Sequence, residues 1–198
     1  MQGKRHLMAG LPMFPSLLGL AEFAENTLPD MLLLPQYFGI FHTLQIGTGV
    51  LGFTLGLLLP DCDTKNSILG RHFHLPFEHR TWTHAIWFPL ILVLAAYWTK
   101  TVFFLWIAAG WMVHLFQDSF SAMGDCFLYP ITGYREYPSG ARVKKGRHLS
   151  LYHNNATSEK VFTAGWCIVS VILSIGVMYY FDWLDMRDML QTVGQIIQ

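Results

Sequence analysis

The ionisable residues of this chain gather at the ends of apolar runs. Asp61 and Asp63 close one run in LLLPDCD, His79 and His84 open the next in HRTWTH, and His114 and Asp118 close a third in HLFQD. Charge beside hydrocarbon is unfavourable, so such groups in membrane segments are usually paired and functional. Imidazoles and carboxylates are the nitrogen and oxygen donors that divalent metals take. Their recurrence at run ends points to a metal centre at a membrane surface.

The spacings support convergence to different degrees. His114 and Asp118, four positions apart, share one helix face a turn apart. Asp61 and Asp63 flank Cys62 just after Pro60; in an extended turn alternate side chains point the same way, and two carboxylates so close repel unless a cation lies between them. His79 and His84 lie about 140° apart on an ideal helix, so they converge only if His79 precedes the helix that follows. His6, beside Lys4 and Arg5 near the start of the first helix, completes the candidate set. The metal-ligand candidates are therefore His6, Asp61, Asp63, His79, His84, His114 and Asp118. So many donors exceed what one zinc takes and suit about two divalent ions, zinc or manganese, with three or four donors each.

Paired metals are a hydrolytic device: they lower the pKa of water and stabilise charge developing on a phosphoryl or acyl oxygen. The expected chemistry is attack of a metal-bound hydroxide on a phosphoester, a lipid-linked one included. Asp63 or Asp118 would orient or deprotonate the water, and Arg80 would hold a phosphate oxygen through its matching guanidinium geometry. The alternative is a non-catalytic membrane protein whose metal ties helix ends together or is sensed, because structural sites are closed where catalytic ones keep an open position.

The elements that must position these residues are helical and membrane-sized. The chain has 198 residues, 53% hydrophobic and 13% charged, with mean hydropathy +0.35, where a soluble domain carries about a quarter charged residues. The expected fold is all-α, a polytopic membrane bundle of about five helices with a cytoplasmic cap loop, forming a single domain over residues 1–198. Formal net charge is zero, so no nucleic acid partner is expected; membrane lipid is. Cys62, Cys126 and Cys167 are odd in number and lack CxxC spacing, which indicates neither a disulfide framework nor a cysteine zinc site. The oligomeric state is not set by any of these features.

A spanning helix needs about 20 apolar residues. Residues 38–59 qualify and carry Gly52 and Gly56 in the GxxxG spacing that allows close helix packing. Residues 161–181 qualify without a charge, ending near Tyr179, Tyr180 and Trp183 in an interfacial aromatic belt. Residues 82–98 and 101–116, separated by Thr99 and Lys100, should form an antiparallel hairpin crossing twice, with Pro89 kinking the first arm. Residues 5–23, interrupted by Pro12 and Pro15, read as a retained first helix rather than a cleaved signal, either spanning or entering the bilayer partway.

Alternating the loops from the N-terminus places 11 of the 13 Lys and Arg on one side, leaving Lys100 and Arg187 on the other. The positive-inside rule puts the basic side, with every cluster residue, in the cytoplasm. Residues 119–159 are too long for an idle connection. With YREYP, ARVKKGRH and YHNN they are expected to cap the metal face or to meet anionic headgroups.

LLPDCDTKNSILG, then HRTWTHA, then GWMVHLFQDSFS with FLYP, resembles the YdjM-like family of inner-membrane, predicted metal-dependent hydrolases. That family's pattern is a PD-x-D turn with a following S-x-L-G, an HRG-x-TH-S motif and a helix with H-x-x-x-D. ATSEKVF matches its last motif, in which a Glu opens the final helix. The resemblance runs from His6 to about Glu159. It implies a bacterial inner-membrane location, a distant likeness to zinc-dependent phospholipase C and single-strand nucleases, and the same seven residues as metal ligands. Thr81 stands where the family usually has Gly, and Ala85 where it has Ser.

Overall fold

A computed structural model of the chain describes residues 3–27, 43–77, 79–121, 127–131, 134–136, 142–144, 151 and 157–180. The fold is all-α, as expected. Helix α1 (Gly3–Gly10) runs through a 3₁₀ turn (Leu11–Met13) into α2 (Phe14–Thr27). Pro12 and Pro15 sit at this junction, in or beside first-turn positions, where proline leaves no needed donor missing. Helix α3 (Thr43–Leu58) ends in a 3₁₀ turn (Leu59–Asp63), and another 3₁₀ turn (Trp82–His84) precedes α4 (Trp87–Thr99). Helix α5 (Val102–Ser119), a small antiparallel hairpin of β1 (Tyr134–Glu136) and β2 (Arg142–Lys144), and α6 (Thr157–Tyr180) complete the order.

The central contact is α3 against α5. A Cβ on Gly56 would collide with the Ile107 carbonyl, and one on Gly110 with the Phe53 carbonyl. The two backbones therefore meet face to face, as the GxxxG spacing anticipates, with Gly110 as the partner glycine that spacing does not reveal. Phe14, Leu18, Phe53, Leu57, Trp106 and Val113 fill one side of this seam. On the other side Phe88 of α4 stacks on Trp111 at 5.2 Å.

Helices α4 and α5 form the expected hairpin. Lys100 takes the left-handed conformation that closes α4, at φ 56°, with its Nζ 4.5 Å from the Tyr97 ring centre. Two expectations about this arm are corrected. The helix starts at Trp87 rather than at residue 82, so it is 13 residues, about 20 Å long. Pro89 consequently lies in its first turn, where it needs no kink. The preceding residues are turned out of helical register and held there: Ile86 N–H donates to the Phe127 carbonyl at 2.9 Å, and Trp111 Nε1 to the Thr83 carbonyl at 2.9 Å.

Helix α6 spans 24 residues, about 36 Å. Among the described residues it is the one helix, over Thr157–Tyr179, long and apolar enough to cross a membrane. Ile168, Ile172, Ile175 and Tyr179 face outward. Its other side docks on α1 and α2 through polar contacts of the kind that join helices in lipid: Ser16 and Ser174 share a hydrogen bond of 2.9 Å, and Ser174 also donates to the Pro12 carbonyl. Of the residues expected to matter, Cys126, Trp183 and Arg187, the YHNN motif, most of ARVKKGRH and the start of the 38–59 span lie outside the described residues.

Candidate metal centre

Four separate pieces of chain bring the seven predicted residues together. α1 supplies His6, the turn after α3 supplies Asp61 and Asp63, the connection before α4 supplies His79 and His84, and α5 supplies His114 and Asp118. Three triads of donor atoms lie mutually within 4.8 Å: His6, His114 and Asp118; Asp61, His84 and His114; Asp63, His79 and His84. His6, His84, His114 and Asp118 are 0% exposed.

Pro60 explains the two aspartates. It lacks an N–H and cannot continue α3, so the chain tightens into a 3₁₀ turn that buries both carboxylates. The interruption also frees carbonyls at the helix end. The Leu57 carbonyl accepts the Nδ1–H of His114 at 2.8 Å. Because a carbonyl only accepts, this bond fixes the His114 tautomer and leaves Nε2 unprotonated.

The Nε2 atoms converge. His114 Nε2 lies 3.7 Å from Asp61 Oδ1 and 3.9 Å from Asp118 Oδ2; His84 Nε2 lies 3.9 and 3.7 Å from the same two oxygens. His6 Nε2 is 3.4 Å from Asp118 Oδ1. A tetrahedral metal holding donors at 2.0–2.2 Å sets them about 3.4 Å apart. The observed separations match or slightly exceed that spacing, and those of 3.7–3.9 Å are too long for direct hydrogen bonds. Among the described residues, the Nε2 atoms of His6, His84 and His114 are buried and meet no hydrogen-bonding group. Three such nitrogens aimed at two carboxylates fit a divalent cation, since burial of an unsatisfied polar atom is otherwise unfavourable.

A buried guanidinium adjoins the cluster: Arg80 NH2 lies 3.1 Å from Asp118 Oδ2, and its NH1 donates to Ser121 at 2.9 Å. Arg80 is 1% exposed and adopts φ 64°. Its left-handed backbone, one residue before the position where the family usually has Gly, turns the chain between His79 and His84. That turn resolves their unfavourable helical angle: the two rings meet edge to face at 5.0 Å.

Asp63 stands at the outer edge. Its carboxylate accepts from His79 Nδ1 at 2.7 Å and from the Thr83 hydroxyl, with His84 Nδ1 at 3.6 Å. Burial alone would raise its pKa, but the hydrogen bonds and charge of His79 and His84 overcome that and hold the carboxyl well below the ordinary range. Burial, with Asp61 and Asp63 adding to it, pushes the Cys62 thiol up to about 11, so it stays neutral. The His79 side chain, 39% exposed, is the wettest member of the cluster.

Three features escaped sequence reasoning. Gln117, fully buried, pairs its Oε1 with His6 Nδ1 at 2.9 Å. Arg5 forms an ion pair with the buried Glu159, fastening α1 to the start of α6 and so placing His6. Arg80 pairs with Asp118. Sequence offers only one hint of the second, the Glu that opens the final helix.

The fold and site define an all-helical protein with a buried His/Asp cluster able to hold metal. Residues 1–183 match the family described as YdjM inner membrane protein, and the chain belongs to it. A Bacillus subtilis (strain 168) relative, named uncharacterized protein YvsG, is 26% identical over 194 residues, covering 93% of this chain and 96% of its own. No solved structure matches.

Proposed function

We propose that the protein is a membrane-embedded metal-dependent hydrolase acting on a phosphoester, with its site at the cytoplasmic face of the bacterial inner membrane. The observation that carries this reading is the convergence of three buried Nε2 atoms, none meeting a hydrogen-bonding group among the described residues, on Asp61 and Asp118. Two of the triads share no residue: His6, His114 and Asp118 on one side, Asp63, His79 and His84 on the other, with Asp61 between them. They would hold about two divalent ions, zinc or manganese. When bound, such ions lower the pKa of water and offset the charge that develops on a phosphoryl oxygen.

The chain's own residues then have distinct tasks. Asp63, kept ionised by His79 and His84 at the more open edge, is placed to orient the attacking water rather than to take its proton, since a carboxylate held so far below the ordinary range is a weak base. Asp118 sits among three imidazoles and orients them, with Arg80 balancing its charge. Arg80 reaches a phosphate oxygen only beside Asp118, since its guanidinium is already engaged there. Access is from the side of His79, the most exposed of the seven; Phe73, Phe77 and Trp82, exposed and near it in sequence, suit a lipid-linked phosphoester. The cytoplasmic orientation rests on the 11-to-2 division of basic residues.

A second reading is favoured by one observation. The four innermost donors are completely buried, as in a closed structural or metal-sensing site. Assay of the metal-loaded protein against phosphomonoesters and phosphodiesters in detergent separates the two. Turnover lost on Asp63→Asn supports hydrolysis, and metal-bound protein inert to every ester supports the structural reading.

A further inference from the structure

The three inner histidines are turned the same way, and this chain supplies the groups that turn them. His114 Nδ1 donates to a backbone carbonyl, which no side-chain change can remove. His84 Nδ1 lies 3.0 Å from the Thr83 hydroxyl, which itself donates to Asp63 and so offers His84 a lone pair. His6 has neither device. Its Nδ1 faces Gln117 Oε1, on the α5 turn that also bears His114 and Asp118.

We propose that Gln117 is a positioning residue that fixes His6 in the Nδ1–H tautomer and thereby presents its Nε2 lone pair beside Asp118. This rests on the metal reading above. The geometry leaves two choices. With the amide oxygen toward the ring, Nδ1 carries the proton and Nε2 is a ligand. With the amide nitrogen toward the ring, Nε2 carries the proton and points it at Asp118 Oδ1, 3.4 Å away, and His6 cannot bind a metal. The first arrangement repeats what a carbonyl imposes on the stacked neighbour His114, whose ring centre is 3.7 Å from that of His6. Partners of this kind set ligand tautomer and basicity, and losing one typically weakens metal affinity about 10- to 100-fold.

Gln117→Met removes the acceptor with little change of volume, and Gln117→Glu restores one that can only accept. The full chain in detergent is measured two ways. In metal-free protein, nitrogen NMR of the imidazoles should show His6 protonated at Nδ1 in wild type and Gln117→Glu, and not in Gln117→Met. Zinc affinity, from competition with a chromogenic chelator, should fall about 10- to 100-fold in Gln117→Met and return in Gln117→Glu. A wild-type His6 protonated at Nε2, unchanged zinc affinity in Gln117→Met, or a Glu variant as weak as the Met variant would each overturn the proposal. Wild-type protein that binds no zinc would instead defeat the metal reading, leaving the NMR comparison to judge Gln117 alone.

Discussion

Replacing Asp118 with Asn tests the electrostatics of the centre with almost no change of shape. The carboxylate is 0% exposed and its partner Arg80 is 1% exposed, at 3.1 Å. Neither charge is screened by solvent, so removing one breaks a buried ion pair, which destabilises by about 3–5 kcal/mol. For a chain of this size that corresponds to a melting temperature lower by roughly 10 °C. Metal content should fall as well, because Asp118 stands within 3.4–3.9 Å of the Nε2 atoms of His6, His84 and His114. A cycle with Arg80→Met separates the effects. The double variant should recover part of the lost stability, since the buried guanidinium is gone as well, yet recover no metal. Thermal melts followed by intrinsic tryptophan fluorescence, with elemental analysis of the same samples, give both numbers. An Asp118→Asn protein with wild-type melting temperature and metal content would refute the reasoning.

Further outcomes follow from other contacts. Gly110→Leu should separate α3 from α5 and lower stability by several kcal/mol, beyond the 1–3 of ordinary overpacking, because backbone rather than a movable side chain blocks the Cβ; equal melting curves would mean that the helices do not meet there. Metal affinity should fall in acid, since histidine ligates only when neutral, and the fall should lie below the ordinary histidine range because burial lowers the His84 pKa; affinity that stays constant down to the pH of acid unfolding would contradict imidazole ligation. Asp63 has a depressed folded pKa, so it contributes stability above the ordinary carboxylate pKa of about 4 that is lost as pH falls through the folded value; Asp63→Asn should therefore flatten the acid side of the stability profile of metal-free protein. A cysteine placed at Lys144 should resist an impermeant thiol reagent in intact cells, and its labelling would reverse the orientation.

The donors were legible in the sequence because ionisable side chains beside apolar runs are conspicuous, and because His114 and Asp118 keep helical spacing. Asp61 and Asp63 were legible through Pro60, which dictates where α3 must stop. The approach of His79 to His84 was not, since it depends on a left-handed Arg80, and a non-glycine residue gives no advance sign of positive φ. Apolar content alone overextended the α4 arm: residues 82–86 look like helix by hydropathy but are held out of it by hydrogen bonds to Phe127 and Trp111. Gln117 and Gly110 were missed for a common reason. Each matters through one partner on a distant segment, His6 in one case and the Phe53 carbonyl in the other, and periodicity within a segment carries no information about such partners.

A metal-dependent hydrolase requires metal held by the converging Nε2 atoms. The most direct measurement is elemental analysis of protein purified in detergent without chelators, beside a His84→Ala, His114→Ala double variant shown to be folded by circular dichroism. About two divalent ions per wild-type chain, falling to near zero in the variant, is the predicted result. A wild-type chain with no stoichiometric metal, or a variant that retains the wild-type content, would contradict it.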